Sequence, residues 1–538
     1  MSERDRRTLN PHAIDRRDFL RAGAVLAAGA AGAAALGAAG CGGRGAGASG
    51  AVAISSDALG PRGGTARLLL GGGGPRLVLD PATQVNEPDA IVDGLLYDGL
   101  VRLHDDWRVE PRLATRWESD AAQRVWRFEL RDGVTFHDGR PLTAKDVVYS
   151  LRRLLDERLG SAVYPRLNGE LRPDGVRAAG SGAVELRLTQ PDAFLPVALG
   201  ARHCKIVPAG TTDFSRAIGT GPFRLRSLDQ SKLSFELERN PGFWQEGLPR
   251  LDRIEGMLAN DQASLVQSVA SGRFHFGGFI DPSLASSAEA SGDARLLAHR
   301  SALFNDLVAA ADSEPFTNPD VRTALKLAID REQILSLAYK GHGSIAHDVP
   351  VRTADPFFAE GLAHRTRDVD EARRLLRRAG YPNGIDLELL TAPAGAAMVD
   401  MAVVAKESLA EAGIRVSVQQ RPAGTYYDAV WLKEAFYVDT WVLRHPLDAM
   451  AVMFESSAPW NEARLRSPRL DELLREARST GERSEQAQLL GAAQTLVADQ
   501  AGFVCPAWLD ELYVAKPELA GVGFNATDLV DFQRASLG

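Results

Sequence analysis

The sequence predicts an α/β protein built from more than one domain, and three observations carry that expectation. From Leu113 to Tyr149 an alternating strand runs through a tight turn into a capped amphipathic helix. Between Met401 and Val418 a helix, a glycine and an alternating strand follow one another, which is the α/β rhythm. The chain has 538 residues, and without a leader it keeps roughly 500, enough for two or three domains rather than one core.

The leader is read from Arg16-Arg17-Asp18-Phe19-Leu20, which precedes an uncharged Ala/Gly run ending at Gly40. That order is a twin-arginine export pattern, although Asp15 stands where Ser or Thr is usual. The run from Ala22 to Gly40 is mostly Ala and Gly, so its transfer into lipid is weak and a permanent membrane helix is not expected. Cys41 follows Ala38-Ala39-Gly40 as in a lipobox, with Ala38 in the place usual for Leu. The alternative is an ordinary signal peptide followed by a chance cysteine. Residues 42–64 hold almost no large apolar side chain and read as a flexible tether.

In the folded part, Trp126, Phe128 and Leu130 share one strand face while Val125, Arg127 and Glu129 take the other. Asp132-Gly133 and Asp138-Gly139 turn the chain. Thr143 and Asp146 fit a capping box, and Val147, Val148, Leu151, Leu154 and Leu155 follow at helical spacing. Leu186 with Leu188, and Leu233 with Phe235 and Leu237, mark half-buried strands, and Ala302 to Ala310 an apolar crossing strand. Asn318 caps a helix with Pro319 at its first position and a stripe of Val321, Ala324, Leu325, Ala328 and Ile329. Asp368 and Glu371 cap another that Gly380 closes. Met401, Ala405, Leu409 and Ala412 line a helix closed by Gly413, before the strand Ile414, Val416, Val418. Ser467-Pro468 opens a helix carrying Leu470, Leu473, Leu474 and Ala477, and a longer one runs to about Ala501.

Composition excludes several functions. Net charge is −8 with both signs interspersed, so no basic stripe is available for nucleic acid. There is no HExxH, GxSxG, CxxC or Gly-Lys-Ser/Thr loop, so no enzyme signature is present. No cofactor and no metal is expected: His342 and His347, the nearest histidine pair, lack further ligands. Cys204 and Cys505 read as two buried thiols; a disulfide between them is the alternative.

Several runs resemble one family. FHDG followed by LTAKDVVYS, the LDP element at Leu79 to Pro81, Gly219-Thr220-Gly221-Pro222-Phe223, Arg239-Asn240-Pro241-Gly242-Phe243-Trp244, and Pro315 to Ile334 are similar to the extracellular solute-binding proteins, family 5, of peptide and nickel ABC importers. The resemblance runs from about Gly63 to Leu519. It implies a two-lobed periplasmic-binding-protein-like fold of the large cluster-C type with a hinge between the lobes. The implied division is 1–40 signal, 41–64 tether, 65–303 lobe I with an extra subdomain at about 80–215, 304–502 lobe II, and 503–538 returning to lobe I. It also implies capture of a small solute, peptide by default, and delivery to an ABC permease without covalent chemistry. The protein is expected to act outside the cytoplasm as a monomer, held to the membrane by a lipid on Cys41. An exported hydrolase without motif, and a sensor uncoupled from transport, are the competing readings.

By the same resemblance, lobe I touches ligand through Gln84, Val85, Asn86 and Glu87, and Asn305 lies in the crossing strand. Lobe II offers Tyr426, Trp441, Arg444, His445, Asp448, Asn461 and Arg464. Peptide-binding members carry a carboxylate where His445 stands before Pro446, so a ligand ammonium is poorly served here. Arg444 suits an oxyanion, or else it bridges an acid on its own lobe. Trp441 either stacks on ligand or fills core.

Overall fold

The computed structural model describes residues 60–538 except 73, 85, 260, 291, 363 and 364. Arg16, Arg17, Cys41 and Val85, named above, lie outside the described residues.

A 12-stranded sheet forms the spine. Its order is Ile414–Gln420, Ile385–Thr391, Phe436–Val442, Arg295–Ala309, Ala507–Ala515, Phe276–Ile280, Thr65–Gly71, Arg253–Ala259, Ser234–Arg239 and Phe223–Asp229, with two short strands off this path. The long strand Arg295–Ala309 lies inside the spine and joins its two halves. Its first part pairs antiparallel with Ala507–Ala515, and its last part with Phe436–Val442. Ala507–Ala515 is buried at every residue, as a strand covered on both faces must be. A separate four-stranded sheet contains Ala114–Ser119, Val125–Leu130, Leu171–Ala178 and Ala183–Leu188.

Apolar burial follows these elements. One core gathers mainly residues 304 to 509, a second packs the early strands against residues 513 to 535, and a third lies under the four-stranded sheet between Ala82 and Ile206. A smaller cluster joins Leu265, Val266 and Val269 to Leu512 and Val514. Cys204 and Cys505 are both buried free thiols.

Local chemistry explains several helix starts. The Thr143 backbone N–H donates to Asp146 Oδ2 at 2.8 Å, completing the capping box of Ala144–Leu154. Asn318 accepts from Asp320 N–H, and Asp368 from Glu371 N–H. Two strand expectations differ from the structure. Leu233 is in the turn before Ser234–Arg239 with φ of 49°, because Asp229 ties down the N–H groups of Ser231 and Lys232. The crossing strand begins at Arg295 rather than Ala302; Ser301 has φ of 51° and the register shifts between His299 and Leu303. Such a bulge breaks the apolar pattern without ending the strand.

Candidate functional site

A cavity of about 580 Å³ opens beside the middle strands of the spine. One wall is supplied by Glu87, Trp107, the segment Ala162–Glu170, Phe194 and Arg202; the facing wall by Val442–Asp448, Glu455, Trp460 and Arg478. His299 and Glu511, from the two crossing strands, complete the lining. Volume and mixed apolar and polar lining suit a small organic solute.

Ionic contacts cross from wall to wall. Arg166 binds Glu170 at 2.5 Å and Asp192 at 2.7 Å on its own side, and reaches Asp448 opposite at 3.7 Å. Arg478 returns the contact, lying 3.4 Å from Glu170 and 3.3 Å from Glu455. Burial raises the Glu170 carboxyl above the ordinary range despite Arg166. The Ala193 N–H donates to the Arg478 carbonyl at 2.9 Å, and Trp107 Nε1 donates to Asp355 at 2.5 Å.

Of the expected second-wall residues, three line the cavity. Arg444 Nη1 lies 2.9 Å from Asp448, so the bridge to an acid on its own wall is made, and its guanidinium sits 5.8 Å from the Trp460 ring centre. His445 caps the helix Pro446–Phe454: its Nδ1 accepts from Leu447 N–H at 3.2 Å and must therefore be unprotonated. Trp107, Phe194 and Phe357 surround the ring at 4.7 to 5.3 Å. Burial pushes the imidazole down to about 3, so His445 is a neutral wall and not a cation.

The other expected residues are placed differently. Trp441 is buried and donates Nε1–H to Glu462 at 2.7 Å. The Tyr426 hydroxyl lies 2.6 Å from the Val438 carbonyl and 3.1 Å from that of Leu390. Asn305 donates to the Ala396 carbonyl, and Asn461 to the carbonyls of Glu455 and Leu465. Arg464 pairs with Asp312 and donates to the carbonyls of Leu432 and Glu434. Asp439, six residues before His445 in the chain, is buried opposite Asp306 in the sheet. From the first wall, Glu87 lines the cavity as the first residue of helix Glu87–Leu96, while Asn86 is turned to Asp89 at 3.1 Å. The Gln84 side chain is 1% exposed, and neither of its polar atoms has a partner among the described residues; its carbonyl lies 3.2 Å from His203 Nε2.

Sequence reading missed Trp107, Arg166, Arg202, His299 and Glu511. His299 lies 3.0 Å from Asp105 and 3.3 Å from Glu511. Burial alone would lower its pKa, but the contacts with Asp105 and Glu511 outweigh it and raise it to about 10, so the crossing strands carry a cation at the cavity. No spacing signal marks it, because its partners are 194 and 212 positions away.

A family model described as bacterial extracellular solute-binding proteins, family 5 Middle, matches residues 108–461. The glutathione-binding protein GsiB of Pectobacterium atrosepticum is 26% identical over 479 residues, covering 85% of this chain and 92% of its own. GsiB of Shigella flexneri is 24% identical over 444 residues, covering 79% and 86%. Among solved structures, the ABC transporter substrate-binding protein CtaP of Listeria monocytogenes superposes with a TM-score of 0.79 at 19% identity, covering 88% of this chain and 99% of that one. AgaA of A. tumefaciens R10, in complex with agropinic acid, gives 0.72 at 22% identity with the same coverage.

Proposed function

This chain belongs to the bacterial extracellular solute-binding proteins, family 5, and from that premise we propose that its cavity receives a peptide-like solute bearing an anionic group. The protein captures solute outside the cytoplasm and delivers it to an ABC import permease. The observation that carries the assignment is the cavity itself, walled by residues between Glu87 and Arg202 on one side and between Val442 and Arg478 on the other, and floored by the crossing strands through His299 and Glu511. A solute there bonds to both walls only when they are together, so its binding selects the closed arrangement. The cross-wall contacts Arg166–Asp448 and Arg478–Glu170 support closure as rigid bodies meeting along charged edges.

The reading assigns lobe I to residues 65–303, lobe II to 304–502 and the return to 503–538, and it gives the chain no covalent chemistry. Glu87, Arg444, His445 and Asp448 are its ligand contacts. Trp441 supports the cavity from behind through Trp460. That similar proteins bind glutathione and agropinic acid favours a compact anionic solute.

Mass spectrometry of small molecules released by denaturing the purified protein is expected to recover such a solute. Adding it back should raise Tm with free ligand concentration, without turnover. Recovery of unmodified cationic peptides, or accumulation of a product over time, would count against this reading.

We further propose that the chain is exported by the twin-arginine signal at Arg16 and Arg17, acts as a monomer and is held to the membrane by a lipid on Cys41. In its native host the full chain should fractionate with membranes, while Cys41→Ser should appear in the soluble extracytoplasmic fraction. Equal partition of the two would remove the anchor.

A further inference from the structure

Five cationic side chains line the cavity: Arg166, Arg202, His299, Arg444 and Arg478. Four of them have a carboxylate in contact. Arg166 has Glu170 and Asp192, Arg478 has Glu170 and Glu455, His299 has Asp105 and Glu511, and Arg444 has Asp448. Arg202 differs. Just after the helix Leu195–Leu199, it is half-buried on the first wall and makes no hydrogen bond or ion pair among the described residues.

Its surroundings say what it awaits. Burial lowers its pKa most; Glu87 and Glu511 attract it from beyond ion-pair distance, and Arg444 repels it. Two guanidinium groups therefore face the same space from opposite walls, and of the two only Arg444 touches a carboxylate. A half-buried guanidinium that meets no protein acceptor among the described residues presents its fork to the cavity, and an oxyanion between the two guanidinium groups bonds to both walls at once.

We propose that Arg202 is the specificity-determining residue of this cavity: it receives an oxyanion of the solute, carboxylate, sulfonate or phosphate, which lies between Arg202 and Arg444. The inference deepens the solute-binding reading and rests on it. Arg202 supplies the fork from the first wall, and Arg444, held by Asp448, closes from the second.

Glu87 makes the clamp sensitive to pH. Burial pushes its carboxyl up to about 7, and the groups that face it are Arg202, which lowers it, and Glu511 and Asp89, which raise it. An anion arriving beside Glu87 favours its protonated form. Affinity for an oxyanion should accordingly fall as pH rises through about 7, where the Glu87 carboxylate competes for Arg202.

The test uses the mature protein and a panel of probes: glutathione, short peptides and small organic acids, each paired with its neutral ester or amide. Calorimetric titration should find binding among the free acids and not among their neutral partners. Arg202→Ala should weaken the best acid by roughly 100-fold, and Arg202→Lys by roughly 10-fold, because the charge stays and the fork is lost. Among the described residues neither change removes a protein hydrogen bond, so both variants should fold, and Tm without probe checks that they do. Glu87→Gln should flatten the decline of affinity with pH. Neutral or cationic probes binding as well as the acids would overturn the oxyanion assignment and leave the cavity as a solute site. Retention of affinity within a few-fold in Arg202→Ala would do the same. A panel in which nothing binds overturns both readings together.

Discussion

Replacing Glu462 with alanine is expected to destabilise the protein by about 3–5 kcal/mol, since three buried donors lose their acceptor at roughly 1–3 kcal/mol each with partial relaxation. Glu462 is fully buried. Its Oε1 accepts from Trp441 Nε1 at 2.7 Å, and its Oε2 from Trp431 Nε1 at 3.1 Å and the Tyr437 hydroxyl at 3.4 Å. Burial keeps the Tyr437 phenol neutral and able to donate. Glu462→Gln keeps one acceptor but places an NH2 group against a donor, so its effect should be intermediate. Because Trp441 packs 6.1 Å from Trp460 on the cavity wall, solute affinity should weaken as well. Urea unfolding at constant m-value measures the first effect. A change in Glu462→Ala below about 1 kcal/mol would show that water or repacking satisfies the donors.

A comparable loss, about 3–5 kcal/mol, is expected when Asp528 becomes alanine, because two buried cations then lose their counter-charge. Asp528 is 3% exposed and Lys205 is 5% exposed; the two are in direct contact, and Arg102 lies 3.0 Å from the same carboxylate. Arg102 keeps Asp531 at 2.9 Å, which should hold the loss below that of a fully stranded pair. Asp528 also fixes the C-terminal segment, since its own N–H and that of Thr527 are held by Asn525.

The sign of the pH dependence follows from its titration. Burial by itself would raise the Asp528 carboxyl, but Lys205 and Arg102 outweigh it and hold it down to about 2, below its ordinary 3.8. The folded pKa is depressed, so the stabilisation is complete above the unfolded value and is lost as pH falls from 3.8 toward about 2. Asp528→Asn should remove that part of the acid slope while lowering stability at neutral pH. An unchanged slope would mean that Asp531 or another acid carries the linkage.

Much of the fold was legible because it is written in near neighbours. The capping box of Thr143 and Asp146, the cap at Asn318, the cap at Asp368 and the left-handed Gly413 all depend on residues within four positions of one another. Alternation at Trp126, Phe128 and Leu130 told which strand face is buried. Leu233 and the early part of the crossing strand escaped because a turn and a bulge override propensity where side chains bind nearby backbone.

By itself the sequence determined the α/β elements, their caps and the family to which the chain belongs, since periodicity and short motifs are local properties. Tertiary structure alone decided which polar side chains face the cavity. Arg464 meets Asp312 from 152 residues away, Asn305 meets Ala396 from 91, and Trp441 is claimed by Glu462, so residues that look available in sequence have partners in space. Arg202 is the opposite case, a plain arginine in an Ala-Arg-His-Cys run that the fold brings opposite Arg444. Coulomb forces act through distance in space, and no spacing along the chain encodes that distance.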